Sequence, residues 1–188
     1  YKAWKKLSFF TSLKKMQSSS LNENCNDKSN LFFDNISRFL EFSISTKNLL
    51  TEKSRHEFEQ YNYSYLNNFD KIISKHYCDQ TKEITDIIKS KKNLKVLEVG
   101  CGCGTESLWF SINGAKVTGI DLRKERLEVA SERKGNFEKQ FGVKLDIQFI
   151  YADLFDFVEN NKNEYFDVIY MEQAYHHIEP RNKLIPTL

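Results

Sequence analysis

Three glycines spaced by two residues, Gly100, Gly102 and Gly104, are the residues of this sequence best suited to binding chemistry. They follow a short apolar run that ends at Val99, and Thr105 comes next, a pattern typical of a buried strand that turns into a helix. Glycine allows positive φ angles and a close approach of ligand to backbone, and the start of a helix offers free N–H groups to polar ligands. A turn without a ligand would have the same pattern, so further motifs must decide.

The spacing of these glycines distinguishes between classes of nucleotide cofactor. A dinucleotide fingerprint requires glycine at its first, third and sixth positions. Here the sixth position is Thr105 and the third glycine is Gly104, and the lysine of a phosphate-binding P-loop is missing. We therefore expect that neither NAD nor a P-loop nucleotide binds to this turn.

Two acidic residues follow the next two predicted strands. Asp121 ends the run Gly119-Ile120-Asp121, 21 residues after Gly100, where an acid can accept hydrogen bonds from ribose hydroxyls. The alternative for Asp121 is a helix N-cap, a position that Asp also favours. Asp153 lies in the sequence Tyr151-Ala152-Asp153-Leu154 and, taken alone, would be an ordinary loop residue.

A fourth motif runs from Phe166 to Ile178, where a predicted strand leads into a loop with several proton-accepting side chains. Together the motifs resemble, in order, those of class I S-adenosylmethionine-dependent methyltransferases, whose first motif reads E-x-G-x-G-x-G. The resemblance covers roughly residues 94–180. It implies that the glycine turn receives the aminoacyl part of S-adenosylmethionine, that Asp121 binds the ribose, and that Asp153 recognises the adenine amino group. The cofactor-binding residues that it implies are Glu98, Gly100, Cys101, Gly102, Gly104, Asp121, Leu122, Ala152, Asp153, Leu154 and Glu172.

The loop after the fourth strand also indicates the class of acceptor. Methylases that act on nucleic-acid bases or glutamine amides have Asn/Asp/Ser-Pro-Pro-aromatic here, whereas this chain has Glu-Gln-Ala-Tyr from Glu172. Its Ala-Tyr-His-His-Ile string is similar to the Ala-Phe-His-His-Leu loop of small-molecule and lipid methyltransferases. We therefore expect methyl transfer to a small-molecule or lipid-like acceptor. A non-catalytic S-adenosylmethionine-binding subunit that supports a partner is the alternative, and transfer of another part of the cofactor, as in polyamine synthases, is a third hypothesis.

Methyl transfer from a sulfonium is an in-line displacement that depends mainly on positioning. A general base is needed only when the nucleophile carries a proton, as a hydroxyl does. The candidates are Glu172, Tyr175, His176 and His177. For the two histidines the alternative is a structural role, packing under the cofactor or bonding the backbone.

Residues 1–93 contain no glycine and are predicted to be helical apart from a Ser- and Asn-rich loop over residues 17–30. A helix is predicted from Leu31 to about Phe42, and Ser54 with Glu57 fits a capping box. An aromatic stripe at helical spacing then follows, and Ile84, Ile87 and Ile88 suggest another helix. The stripe fits core packing or, alternatively, a lid over a ligand pocket; its residues are Phe58, Tyr61, Tyr65, Phe69, Ile72 and His76.

From residue 94 onward, strands and helices are predicted to alternate, which favours parallel βαβ units. The fold class is therefore α/β, and the resemblance implies a Rossmann-like, doubly wound, mostly parallel sheet with strands in the order 3-2-1-4, preceded here by an N-terminal helical extension. We assign residues 1–93 to an extension or lid and residues 94–188 to the S-adenosylmethionine-binding domain. The family's sheet continues beyond the fourth strand, so we expect this domain to be C-terminally incomplete. The predicted strands are Leu94–Val99, Ala115–Asp121, Ile147–Tyr151 and Phe166–Met171.

Composition limits the remaining possibilities. The formal net charge is only +2, from 28 basic and 26 acidic residues, so we predict no nucleic-acid partner. No apolar run reaches the length of a membrane span. Four cysteines in 188 residues do not form a disulfide framework, so we expect reduced thiols and a cytoplasmic protein. Cys101 and Cys103 with His176 and His177 match no zinc spacing, so no metal is expected, and the oligomeric state stays open.

Overall fold

A computed structural model describes residues 32–68, 71–91 and 93–187 of the chain. The chain divides into two compact units, Tyr1–Asp34 and Asn35–Leu188. All helices and strands given below belong to the second unit, and the predicted loop over residues 17–30 lies outside the described residues.

Four parallel strands form one sheet in the order β3-β2-β1-β4, which confirms the predicted fold class and strand order. In register, Val99 lies opposite Ile120 and Asp121 lies opposite Tyr151, so the carboxyl ends of the strands meet at one edge. Among the described residues, β4 has a neighbouring strand on one side only. The strands are β1 Lys95–Val99, β2 Lys116–Asp121, β3 Ile147–Tyr151 and β4 Val168–Tyr170.

Helices cover both faces of the sheet because alternate strand residues point to opposite faces. Leu97 and Val99 of β1 pack in one core cluster with Phe157 and Leu184, whereas Phe110 on the other face meets the ring of Tyr170 at 5.1 Å. The helices that alternate with and follow the strands are α5 Thr105–Ile112, α6 Lys124–Phe141, α7 Leu154–Asn160 and α8 Arg181–Thr187.

In the described residues four helices precede the sheet, and three of them, the first, second and fourth, pack on α5 or α6. Trp109 of α5 donates its indole N–H to Thr85 Oγ1 at 2.9 Å, and Phe39 packs between Trp109 and Phe137. These helices are α1 Ile36–Ser45, α2 Glu52–Tyr61, α3 Tyr63–Asn68 and α4 Lys71–Ser90, of which α2 packs directly on α6. In the described residues, no helix is both long enough and apolar enough to cross a membrane.

The helix boundaries differ from the sequence prediction at two points. The N-cap of α2 is Thr51, whose Oγ1 accepts from the Ser54 N–H at 3.4 Å, so the capping box predicted at Ser54 and Glu57 is wrong. The prediction that one helix carries the whole aromatic stripe is also wrong, because α2 ends at Tyr61. Asn62 follows, and both its backbone N–H and its side-chain amide donate to Phe58 O. Asn side chains often bond nearby backbone groups in this way, in competition with the regular hydrogen bonds of a helix. Phe69 of that stripe lies outside the described residues.

Two glycines, one inside α6 and one at its C-cap, are expected to respond in opposite ways to substitution by alanine. Gly142 follows the last residue of the helix and has φ 64°, whereas Gly135 lies inside it, and a Cβ would meet nothing within 4 Å at either position. We expect Gly142→Ala to lower the free energy of unfolding by about 1 kcal/mol, since alanine is strained at positive φ. Gly135→Ala should raise it by about 0.5–1 kcal/mol, since alanine restricts the unfolded chain. Urea unfolding measures both, and changes of equal sign would contradict the assignment of these positions.

Candidate functional site

A cleft of about 450 Å³ opens at the edge where the carboxyl ends of the parallel strands meet. In open α/β sheets this edge is where ligands bind. Tyr61 and Arg126 contribute side chains from α2 and α6, and the remaining lining comes from the segments that follow the strands. Those residues are Val99, Gly100, Ile120, Asp121, Leu122, Arg123, Ala152, Asp153, Leu154, Glu172, Gln173, Ala174, His177, Ile178 and Glu179.

The glycine turn between β1 and α5 approaches other parts of the fold too closely for side chains. A Cβ on Gly100 would lie 2.6 Å from Ala174 Cβ, and one on Gly104 would lie 2.8 Å from Phe149. A Cβ on Gly102 would collide with the hydroxyl of Tyr61. All three glycines have positive φ, of 75°, 52° and 72° in chain order, which other residues rarely adopt. The turn therefore presents bare backbone beside the cleft.

Asp121 connects the end of β2 to this turn. Its Oδ2 accepts from the Gly102 N–H at 2.8 Å, and its Oδ1 accepts from the Arg123 N–H at 2.8 Å. The N-cap of α6 is Arg123, so Asp121 does not cap that helix. Each carboxylate oxygen has more than one acceptor position. The side chain thus retains capacity for further hydrogen bonds while it fixes the turn.

Asp153 has a local structural role at the start of α7. It is the N-cap of that helix, and its Oδ1 accepts from the Phe155 N–H at 2.8 Å. Its neighbours Ala152 and Leu154 line the cleft with it. The sequence allowed an ordinary loop residue at this position, and the capping role was missed, although Asp before an apolar helical run is a known capping signal.

The loop after β4 forms the opposite wall of the cleft. Gln173 has φ 55° and is followed by the 3-10 helix Tyr175–His177. The two histidine rings lie 3.8 Å apart, but only His177 lines the cleft in the described structure. Tyr175 and His176 are exposed. The loop therefore separates the four candidate bases into a cleft-lining pair, Glu172 and His177, and an outer pair.

Three carboxyl groups lie close together beside this wall, and each accepts a hydrogen bond from a hydroxyl. Ser107 donates to Glu98, Tyr77 donates to Glu106, and Tyr170 donates to Glu172 at 3.0 Å.

Burial and the nearby charge of Glu172 raise the pKa of Glu106 to about 7. Burial, followed by the charge of Glu106, raises the pKa of Glu98 well above its ordinary value. Glu98 and Glu106 therefore keep their protons at a higher pH than ordinary carboxyl groups do, beside the charge of Glu172.

The surroundings of the two cysteines in the turn make their thiols unreactive. Cys101 and Cys103 are both buried, and burial raises the pKa of Cys103 to about 12. The Cys101 sulfur packs against Gly119 of β2, where an added Cβ would lie 3.0 Å away. Thiols in such surroundings are poor nucleophiles. In the part of the chain that the structure describes, no three His, Cys, Asp or Glu side chains are grouped as a metal site requires.

Tyr61 and Arg126 are cleft-lining residues that sequence reasoning did not place in the site. The Arg126 guanidinium lies 4.6 Å above the Tyr61 ring, and its Nε is 3.5 Å from Glu57 of α2. The aromatic stripe was a signal for Tyr61, and its interpretation as a lid stays a prediction. Arg126 had no signal, because a basic residue in the first turn of a helix is more often solvated.

The predicted cofactor residues divide by position. Those that line the cleft are Gly100, Asp121, Leu122, Ala152, Asp153, Leu154 and Glu172. The other four, Glu98, Cys101, Gly102 and Gly104, are buried in β1 and the turn. Their roles in binding the cofactor, like those of the candidate bases, stay predictions.

Comparison with known proteins agrees with the order of these motifs. Residues 96–186 match a family model described as a methyltransferase domain. This part of the chain is a methyltransferase domain. Its cofactor is S-adenosylmethionine, and its fold is the class I Rossmann-like fold that the sheet order already indicates.

The curated relatives that match include N-methyltransferases and O-methyltransferases. Phosphoethanolamine N-methyltransferase 3 of Arabidopsis thaliana is 30% identical over 66% of this chain and 25% of its own length. Ubiquinone biosynthesis O-methyltransferase of Vibrio atlanticus is 39% identical over 47% of this chain and 35% of its own. Phosphoethanolamine N-methyltransferase of Plasmodium falciparum is 30% identical over 73% and 50%. The chain thus spans half or less of the length of these relatives.

We expect Asp121→Ala to weaken binding of S-adenosylhomocysteine about ten- to hundred-fold, because hydrogen bonds to a charged group are worth about 1.5–3 kcal/mol. Isothermal titration measures the dissociation constant. Asp79→Ala, which removes an exposed carboxylate on α4, is the matched control and should leave it unchanged. An unchanged constant for Asp121→Ala would remove this residue from the cofactor site.

The raised pKa of Glu106 predicts that the free energy of unfolding depends on pH. Between its ordinary pKa of 4.5 and the folded value of about 7, the folded chain keeps a proton that the unfolded chain has lost. Stability contributed by this group is therefore lost as pH rises through that window.

We expect Glu106→Gln to raise the melting temperature at pH 8 by roughly 2–4 °C more than at pH 5, on the scale of about 1 kcal/mol for a domain of this size. Glu83→Gln, at an exposed site on α4, should show no such difference. Thermal unfolding at the two pH values decides, and an equal gain at both would refute the assignment.

Proposed function

We propose that the chain transfers the methyl group of S-adenosylmethionine to a small-molecule acceptor. One observation carries the proposal: a residue from each of the four sequence motifs, Gly100, Asp121, Asp153 and Glu172, lines the same cleft. A cavity of about 450 Å³ is within the usual size of a small-molecule site. Bound S-adenosylmethionine supplies an activated methyl group, so the chain's own task is to orient the reactants and exclude water.

The charge distribution around the cleft supports a cationic cofactor. Glu172 lines the cleft as part of an acidic wall, and its charge raises the pKa of the neighbouring Glu106. Such a region produces a negative potential that favours a positively charged sulfonium. On the side of α6, Arg123 and Arg126 line the cleft together with Asp121 and Asp153, so that side carries charges of both signs. The proposed orientation therefore directs the sulfonium toward Glu172 and the loop that contains His177.

The acceptor is proposed at the level of chemical class. Two of the relatives named above are called phosphoethanolamine N-methyltransferases and one a ubiquinone biosynthesis O-methyltransferase, so amine and hydroxyl acceptors both occur among them. The loop similarity and the absence of the nucleic-acid methylase motif favour a small molecule or lipid-like compound over a base. A hydroxyl acceptor requires removal of a proton, and His177 is the proposed base because it lines the cleft.

The test is release of S-adenosylhomocysteine by the purified 188-residue chain. The chain is incubated with methyl-labelled S-adenosylmethionine and, in separate reactions, with phosphoethanolamine, a catechol and a short RNA. Acceptor-dependent release with an amine or catechol supports the proposal. Tight cofactor binding without release in any reaction would favour a non-catalytic subunit, and methylation of RNA alone would contradict the acceptor class.

The two adjacent histidines provide a variant and a matched control that test whether His177 is the general base. We expect His177→Ala to reduce turnover of a hydroxyl acceptor about 10²–10⁴-fold with cofactor affinity retained, the range found for general acid–base catalysis. His176→Ala, which removes the same ring from an exposed position outside the cleft, should change turnover little. Steady-state rates and thermal unfolding are measured together. If turnover falls only in step with stability, both histidines are structural.

A further inference from the structure

Arg133 of α6 is a buried arginine that binds the glycine turn from the side of the helix. Only 7% of its surface is exposed. Its Nη1 donates to the carbonyl oxygen of Cys103 and to Thr105 Oγ1, the latter at 2.9 Å. These two acceptors flank Gly104, whose φ is 72°. The guanidinium therefore fixes the peptide before Gly104 and the first residue of α5 at the same time.

Phe58 covers the same guanidinium from α2. Its ring centre lies 4.9 Å from the Arg133 guanidinium carbon, a distance at which a cation interacts favourably with an aromatic face. Phe58 is fully buried and packs in one cluster with Leu50, Cys103 and Val129. Arg133 of α6 thus contacts two other segments, a helix before the methyltransferase domain and the glycine turn.

Burying the charge of Arg133 lowers the free energy of unfolding unless other groups compensate for it. Among the ion pairs of the described residues, none includes Arg133, and its Nη2 is buried with no hydrogen-bond partner there. A buried charge without a counterion lowers stability, and in the described residues only two hydrogen bonds to the turn and the contact with Phe58 offset that cost. Its positive charge lies at the start of α5, where the helix dipole has the same sign, and the two together favour an anion at the turn.

We propose that Arg133 is a positioning residue for the cofactor: it holds the Cys103–Thr105 segment in shape, and its charge favours the carboxylate of the cofactor's aminoacyl end. Phe58 shields the guanidinium from water and so strengthens this effect. The proposal rests on the proposed function, since it assumes that the aminoacyl end lies at the glycine turn. It assigns no direct contact between Arg133 and the cofactor.

The experiment compares two ligands that differ in the aminoacyl group. S-adenosylhomocysteine carries the carboxylate, whereas 5′-methylthioadenosine has the same adenosine and sulfur without it. We expect Arg133→Met to weaken binding of S-adenosylhomocysteine about tenfold, because the turn loses both hydrogen bonds from Arg133 together with the nearby positive charge. Binding of methylthioadenosine should change less than about twofold. Arg133→Lys, which keeps the charge and loses the fork, should fall between. Isothermal titration gives each constant.

Two further variants keep the test valid. Lys139→Met removes an exposed charge from the same helix and should affect neither ligand. Thr105→Val removes one acceptor of Arg133 at nearly constant shape, and it should weaken S-adenosylhomocysteine about threefold, as for part of one hydrogen bond, even where Arg133→Met fails to fold. Equal losses for both ligands, or none, would overturn the assignment of Arg133. Wild-type protein that binds neither ligand would instead overturn the proposed function, and this inference with it.

Discussion

The turn between β1 and α5 can approach three other segments only because residues 100, 102 and 104 lack side chains. Each glycine faces a different neighbour: the loop after β4, the end of α2, and the β3–α6 side of the core. The Gly102 N–H then bonds Asp121, so the end of β2 is fixed by the same turn. The cleft exists where these segments converge, and a Cβ on any of the three glycines would force one of them away.

Much of this fold was predictable because parallel sheets leave strong local signals. Buried strands read as short apolar runs, and β3 was predicted with the bounds that the structure has. The positive φ of Gly142 follows from the need to end a long helix. The motif spacing also predicted which residues would gather at the carboxyl edge of the sheet, since strand ends in a parallel sheet meet there. Gly100, Asp121 and Asp153 are examples.

The parts that could not be predicted depend on contacts between distant segments. The interruption at Asn62 reflects a side chain that bonds Phe58 O, which periodicity does not register. The raised pKa of Glu106 results from packing between α4, α5 and the loop after β4. In the sequence, Arg133 looks like any other charged residue of a polar helix. Only the tertiary structure reveals that it is buried against Phe58. Sequence patterns describe faces and ends of elements, whereas these features arise between elements.

The match to the methyltransferase family begins at residue 96, but the compact unit begins at Asn35. The core cluster of Leu50, Phe58, Cys103 and Val129 crosses that boundary. Substitutions on the two sides of this boundary are therefore coupled, since a larger side chain at Phe58 requires a smaller one at Cys103 or Val129. A chimera that joins the N-terminal helices of one relative to the sheet of another would inherit two halves of a core fitted to different partners.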